Sequence, residues 1–160
     1  MKVREATKED FDEIWEIFHA VVQAGDTYAF SPYTSKEEAL SGWCPDDGVT
    51  FVAVSDGTVV GTYTMTRNWC GLGDHVANSA FMVHPDCRGQ GVGRAMGEHA
   101  LDEARTAGFK GMQFNFVVST NDAAIRLWES LGFRIVGTSP KAFCHAERGL
   151  VDAHVIYRDL

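Results

Sequence analysis

The chain has 160 residues, 45% hydrophobic and 22% charged, which suits one globular core and is short for two. Its net charge of -8 argues against a nucleic-acid surface, where basic patches supply the affinity, and against a polyanionic substrate. No apolar run is long enough to span a bilayer, and Met1-Lys2-Val3-Arg4-Glu5 enters a charged segment at once, so the expectation is no membrane, no secretory signal and a cytoplasmic location.

Residues 2–6 read as an opening strand. Thr7 reads as the N-cap of a helix carrying Phe11, Ile14, Trp15, Phe18, Val21 and Val22 at helical spacing. Residues 24–34 form a loop with three aromatics, Tyr28, Phe30 and Tyr33. Ser35-x-x-Glu38 has the form of a capping box opening a short helix that ends near Trp43. Two strands, 50–54 and 59–65, flank Asp56-Gly57, a strong hairpin signal. After a loop over 68–74 come a strand (75–83), a glycine-rich turn and a helix from about 91 to 107, closed by Gly108. In that helix Met96, Ala100 and Ala104 lie on one side and Arg94, Glu98, Asp102 and Arg105 on the other. A strand at 112–117, a helix from Asn121 and final strands near 133–136 and 153–157 complete one expected domain, residues 1–160. Cys44, Cys70, Cys87 and Cys144 form no Cys-x-x-Cys pair and no histidine spacing suits zinc, so no metal is expected.

The glycine-rich turn carries the chemistry. It reads Val83-His84-Pro85-Asp86-Cys87-Arg88-Gly89-Gln90-Gly91-Val92-Gly93-Arg94. Residues without a Cβ let backbone N–H groups converge, and the following helix adds the positive end of its dipole, which makes a cradle for phosphate. A Walker A loop is excluded because no Gly-Lys-Ser/Thr is present. A Gly-x-Gly-x-x-Gly/Ala fingerprint is excluded because the sixth positions are Arg94 and Met96. The pattern that fits is Arg-x-x-Gly-x-Gly, at Arg88, Gly91 and Gly93. A second block, Asn121-Asp122-Ala123-Ala124-Ile125-Arg126-Leu127-Trp128-Glu129-Ser130-Leu131-Gly132-Phe133, places Ala124, Leu127, Trp128 and Leu131 on one helical face, with Gly132 at the helix end.

The first pattern resembles the pyrophosphate motif of the GNAT acyl-CoA-dependent N-acetyltransferases. The second resembles that family's Asn-x-x-Ala-x-x-Leu-Tyr-x-x-x-Gly-Phe block, except that Trp128 stands at the tyrosine. The resemblance implies an α/β fold whose mixed central sheet, flanked by helices, splays around acetyl-CoA as cosubstrate. The implied reaction transfers an acetyl group to a small-molecule amine; acylation of a peptide amine, or a non-catalytic acyl-CoA-binding module, is the alternative. Backbone N–H groups of Phe81 and Val83 are the implied oxyanion donors. Arg88, Gly89, Gln90, Gly91, Val92, Gly93 and Arg94 would hold the pyrophosphate.

Asn121 would contact the cosubstrate, a role compatible with capping its helix. Trp128, whose indole N–H is no usable acid, either packs beside the cosubstrate or is core. No carboxylate stands on the strands flanking the thioester. Instead Asn78 and Asn115 match the substrate-site asparagines of a subgroup that includes fungal acetyltransferases of azetidine-2-carboxylate and related proline analogues. They either flank a proton-relaying water at the catalytic centre or are buried amides joining splayed strands. His75 is a weaker base candidate. Family members often pair, and Phe143 and Tyr157 read as exposed aromatics, so a homodimer is expected.

Overall fold

Seven strands and four helices alternate as the sequence patterns require, and a computed structural model describes all of them from Met1 to Leu160. In chain order they are β1 (Lys2–Glu5), α1 (Phe11–Gln23), α2 (Lys36–Trp43), β2 (Val49–Ser55), β3 (Thr58–Arg67), β4 (Val76–Val83), α3 (Val92–Thr106), β5 (Gly111–Val118), α4 (Asp122–Ser130), β6 (Arg134–His145) and β7 (Gly149–Asp159). The strands form one sheet in the order β1-β2-β3-β4-β5-β7-β6. Every neighbouring pair is antiparallel except β4 and β5.

Local chemistry sets the turns. Asp56 and Gly57 both have positive φ (51° and 85°), the backbone of the two-residue hairpin turn between β2 and β3. Ser35 accepts from the Glu38 N–H while the Glu38 carboxylate accepts from the Ser35 N–H at 2.9 Å, which closes the box at the start of α2.

Each face of the sheet is sealed by its own core. Ile14, Ile17, Phe18, Val21 and Val22 of α1, with Trp43 of α2, pack on Val52, Val59 and Met82. On the other face Met96, Ala100, Leu101 and Ala104 of α3 and Trp128 of α4 pack on Tyr63, Ala77, Met112 and Phe114. Alternate residues of a strand point to opposite faces, so the two cores assign each β4 side chain, and each β5 side chain up to Phe114, to one side.

Two features of the C-terminal strands differ from the sequence pattern. β6 and β7 are 12 and 11 residues long and form a hairpin that extends far past the segments near 133–136 and 153–157. The β6 alternation is broken where the register shifts between Ser139 and Phe143, a stretch containing Pro140 and Lys141 at φ 52°; this hides a continuous strand. Phe143 is buried, not exposed: its ring meets Phe116 at 6.2 Å between centroids. Tyr157 is half-buried beneath the Arg134 guanidinium, 5.4 Å from the ring centroid. No helix is long and apolar enough to cross a membrane.

Candidate active site

The site is made by a pairing that stops. β4 and β5 lie side by side only at Val76–Gly111, Ala77–Met112 and Asn78–Gln113, after which they diverge. Beyond that point β4 still pairs with β3 up to Gly61–Val83. Asn68 N–H donates to Val76 O and His84 N–H to Val60 O, so the even residues of β4 turn their backbone toward β3. Phe81 and Val83, of the opposite parity, turn theirs into the gap. There the buried Tyr28 hydroxyl donates to Phe81 O at 2.7 Å and accepts from Phe81 N–H at 3.0 Å. One phenol replaces the missing strand partner. Burial pushes that phenol well above its ordinary pKa, so it stays protonated and keeps its donor role.

Two cavities meet at this gap. The larger, about 830 Å³, runs from the glycine turn to the loop after α1. Its walls include Phe81, Val83, Arg88, Gly89, Gly91, Val92, Gly93, Arg94, Asn121 and Trp128, all but one of the residues proposed for the cosubstrate. Gln90 is the exception: its side-chain amide turns back to donate to Asp86 O at 2.9 Å, outside the walls. The smaller, about 360 Å³, is bounded by Tyr28, Phe30, Asn78, Phe116 and Asn115, and shares Thr27, Tyr28, Phe81, Asn121, Ala124 and Trp128 with the larger.

The cradle is open for an anion. Gly91 is the N-cap of α3 at φ +83°, Gly89 stands at φ +76°, and a Cβ on either would meet nothing within 4 Å. The N–H groups of residues 89–94 find no acceptor within the chain, since the first backbone bond of α3 is Ala95 N–H to Gly91 O. A run of unpaired donors at a helix start suits the pyrophosphate of a coenzyme A thioester. At the entrance to α4, Asn121 Oδ1 accepts from Ala124 N–H at 3.2 Å, so the cap is real while the amide nitrogen remains unused beside both cavities.

Asn78 and Asn115 lie on the same face of the sheet. Asn78 has the parity of Met82 and is opposite Gln113, and Asn115 follows Gln113 by two. Their situations differ. Asn115 is tied into a row of amides: Gln113 Nε2 donates to its Oδ1 and its Nδ2 donates to Asn68 Oδ1, both at 2.8 Å. Asn78 is half-buried on the cavity wall, its side chain outside that row. Asn115 and Phe116 fill an irregularity in the β5–β7 register between Phe114 and Val117.

Trp128 serves both roles expected of it. Its ring packs on Phe81 (4.7 Å between centroids), Phe114 (4.8 Å) and Phe133 (5.9 Å), and it also lines both cavities. Of the loop aromatics, Tyr28 and Phe30 line the smaller cavity, but Tyr33 points into solvent, 94% exposed. His75 is exposed, ahead of β4.

Five further residues on the walls of the larger cavity were not singled out from the sequence: Asp26, Thr27, His145, Glu147 and Arg148. The last three sit at the tip of the β6–β7 hairpin. The Glu147-Arg148-Gly149 turn, with Gly149 at φ +70°, was the available signal.

Residues 7–133 match the model of the acetyltransferase (GNAT) family. The chain belongs to that family. This acetyltransferase is 46% identical to a GCN5-related N-acetyltransferase from Kribbella flavida whose structure superposes with a TM-score of 0.95, covering 99% of this chain and 97% of that one. YncA from Salmonella typhimurium, solved with acetyl-CoA, is 26% identical, with a TM-score of 0.84 over 100% and 94% of the two chains. Among curated relatives, N-acetyltransferase aca1 of Schizosaccharomyces pombe is 35% identical over 99 residues, 61% of this chain. This chain spans only 47% of aca1's length. The L-methionine sulfoximine/L-methionine sulfone acetyltransferase of Salmonella typhimurium is 30% identical over 148 residues, 88% of this chain and 84% of that one. Acetyl-CoA is therefore the cosubstrate of this enzyme.

Proposed function

We propose that this acetyltransferase acylates the amine of a small molecule, an amino acid or analogue, in the cytoplasm. The observation that carries the reading is the junction of the two cavities at Phe81, Tyr28 and Trp128. One cavity ends in an anion cradle. The other is small and walled by aromatic rings and amides, dimensions suited to a compact acceptor and not to a folded protein surface. The L-methionine sulfoximine/L-methionine sulfone acetyltransferase, 30% identical to this chain, points the same way. The finer likeness to the proline-analogue acetyltransferases rests on Asn78 and Asn115.

When bound, the cosubstrate supplies an activated acetyl thioester. The chain's own residues do the rest. N–H groups of residues 89–94 hold the pyrophosphate, with Arg88 and Arg94 adding positive charge and Asn121 its free amide. Val83 N–H, aimed into the gap by strand parity, is the preorganised donor for the developing oxyanion; Phe81 N–H, engaged by the Tyr28 hydroxyl at 3.0 Å, joins it only if that bond gives way. Asn78 and Asn115 accept no proton usefully, so their amides orient the amine and the water that carries its proton away. Trp128 shapes the slot without supplying an acid.

The test is release of free thiol from acetyl-CoA across a panel of small amines. Asn78→Ala should raise the acceptor KM or lower kcat by on the order of tenfold, the scale of one lost hydrogen bond to a charged or reacting group, and leave acetyl-CoA affinity unchanged. No release with any amine would remove the reading.

A further inference from the structure

Tyr28 stands at the junction of the two cavities. It lines both, as Phe81 and Trp128 do, so the phenol lies where a thioester in the larger meets an amine in the smaller. The loop that carries it is tied to the tip of the β6–β7 hairpin, where Ala146 N–H donates to Gly25 O at 2.9 Å. The ring is held as well. It meets Trp43 edge-on at 5.9 Å between centroids and stacks on Phe30 at 6.2 Å. Trp43 is itself 2% exposed and tied by its indole N–H to Thr62 Oγ1 at 3.1 Å. A hydroxyl fixed in this way is preorganised, which is what a donor to developing charge requires.

The two hydrogen bonds of that hydroxyl differ in what they leave available. Its oxygen accepts from Phe81 N–H at 3.0 Å, and its one proton goes to Phe81 O at 2.7 Å. Turning the O–H bond about the C–O axis redirects the proton into the gap without moving the oxygen. The bond from Phe81 N–H survives that turn, and a hydroxyl that accepts from an amide is a stronger donor for it. Phe81 O is left to accept from the cosubstrate, whose arm carries amide N–H groups. Burial pushes the phenol well above its ordinary pKa, so the proton is always present to be given in a hydrogen bond. The backbone needs this help. With Phe81 N–H engaged, it offers the oxyanion Val83 N–H alone, and a single donor leaves much of the developing charge uncompensated.

We propose that the Tyr28 hydroxyl is a catalytic hydrogen-bond donor: it bonds the thioester carbonyl oxygen and, more strongly, the oxyanion that forms as the amine adds, alongside Val83 N–H. Phe81 N–H takes part through the phenol, by polarising it. The amine's lone pair forms the C–N bond while the carbonyl π pair moves onto oxygen. On collapse that pair returns, the C–S bond breaks and its electrons leave with sulfur, and the amine's proton goes to water. The hydroxyl keeps its own proton throughout. Trp128 stands where the family pattern has a tyrosine, and Tyr28 faces the same gap with a different task, giving a hydrogen bond and not a proton. The assignment rests on acetyl transfer itself and not on which amine accepts, so it stands apart from the small-amine reading.

The experiment compares the intact enzyme with Tyr28→Phe, which keeps the ring, and with 3-fluorotyrosine placed at position 28 alone, which keeps the hydroxyl and makes it a stronger donor. Acetyl-CoA carrying ¹³C at the thioester carbonyl is bound to each, with no amine present, and its C=O stretch is read by difference infrared spectroscopy. The stretch should move to higher frequency in Tyr28→Phe and to lower frequency in the fluorinated protein. Acetyl-CoA affinity by calorimetry should agree within about threefold across the three, since the pyrophosphate cradle is untouched. With the best amine of the panel, kcat of Tyr28→Phe should fall by about 100-fold, the loss of one oxyanion donor, with the acceptor KM little changed. The uncovered Phe81 N–H does not replace the hydroxyl, because it lies farther back by the 3.0 Å of the lost bond.

A carbonyl stretch that neither change moves would overturn the proposal, and so would a Tyr28→Phe enzyme whose kcat stays within about threefold of the native value. A fall in kcat matched by an equal loss of acetyl-CoA affinity would make Tyr28 a wall of the cavity and nothing more, and would overturn it too. If Tyr28→Phe fails to fold, the fluorinated protein decides alone: a lower frequency supports the assignment and an unchanged one ends it. Turnover with no amine would end the small-amine reading and leave the infrared result to decide this one.

Discussion

Trp128 concentrates the question of how the leaving thiolate is handled. Where the family pattern has a tyrosine, the indole offers a donor without usable acidity, and its ring is wedged among Phe81, Phe114 and Phe133. A thiol with an ordinary pKa of about 8.5 leaves as thiolate near neutral pH at a protonation difference of only about 2 kcal/mol. Trp128→Phe should therefore lower turnover by less than about tenfold, against the ~10²–10⁴ lost when a general acid is removed. It should destabilise the fold by about 1–2 kcal/mol through the space left in the aromatic cluster. Steady-state thiol release and a urea midpoint give both values. Gly91 poses the opposite case, being exposed at the start of α3 and outside both cores. At φ +83° a β-branched residue is strained by about 1–2 kcal/mol, and relieving that strain turns the N–H groups off their common point. Gly91→Val should stay folded yet bind acetyl-CoA about tenfold or more weakly by calorimetry; unchanged affinity would deny the cradle its role.

Elements were legible where one period ran unbroken. α1, α3 and α4 each carry an apolar stripe with a cap or glycine at an end, so local and tertiary signals agree. β6 was the least legible because its bulge around Pro140 and Lys141 breaks the alternation that marks a strand. The hairpin tip that walls the cleft was lost with it. The gap itself follows from Asn78 and Gln113 being the last paired residues, a fact of register that no single segment encodes. Asp26 and Thr27 were passed over for a similar reason: they follow Gly25, whose carbonyl accepts from Ala146 N–H about 120 residues away, and they line the cavity together with that hairpin tip. The start of α1 shows how an element end couples to pH. Asp10, its side chain 6% exposed, takes Arg4 at 2.7 Å and Thr7 N–H at 2.7 Å. The Arg4 hydrogen bond, with the Thr7 donors, holds the carboxyl down at about 2 from its ordinary 3.8. A depressed folded-state value contributes stability that is complete above the unfolded value and is lost as pH falls from 3.8 toward about 2. The contribution is about 2 kcal/mol. Urea midpoints across that window should fall steeply for the native chain and much less for Asp10→Asn; parallel slopes would assign the acid sensitivity elsewhere.

At the scale of the whole molecule the sheet is asymmetric. One end finishes in β1, only 4 residues long, and the other in β6, 12 residues long and exposed along most of its length. A long free edge invites a partner strand unless it is guarded, and β6 is guarded only in its middle, by Pro140, Lys141 and the local bulge. Toward its start it offers Ile135 and Val136, 43% and 51% exposed, and across the hairpin Leu150 is 62% exposed. These aliphatic residues, and not the buried Phe143, are the ones with surface to lose on association. We therefore expect a homodimer that pairs through the β6 end of the sheet, the edge farthest in strand order from β1 and separated from the β4–β5 gap by β7. Light scattering should give about twice the chain mass of 17.6 kDa at micromolar concentration. Val136→Glu, which places charge on that edge, should return the mass to that of one chain while thiol release persists, because Val136 lies near the start of β6, at the opposite end of the strand from the hairpin tip that walls the cleft. A single-chain mass for the native protein over a wide concentration range would show that the bulge, Pro140 and Lys141 are sufficient to keep the edge free.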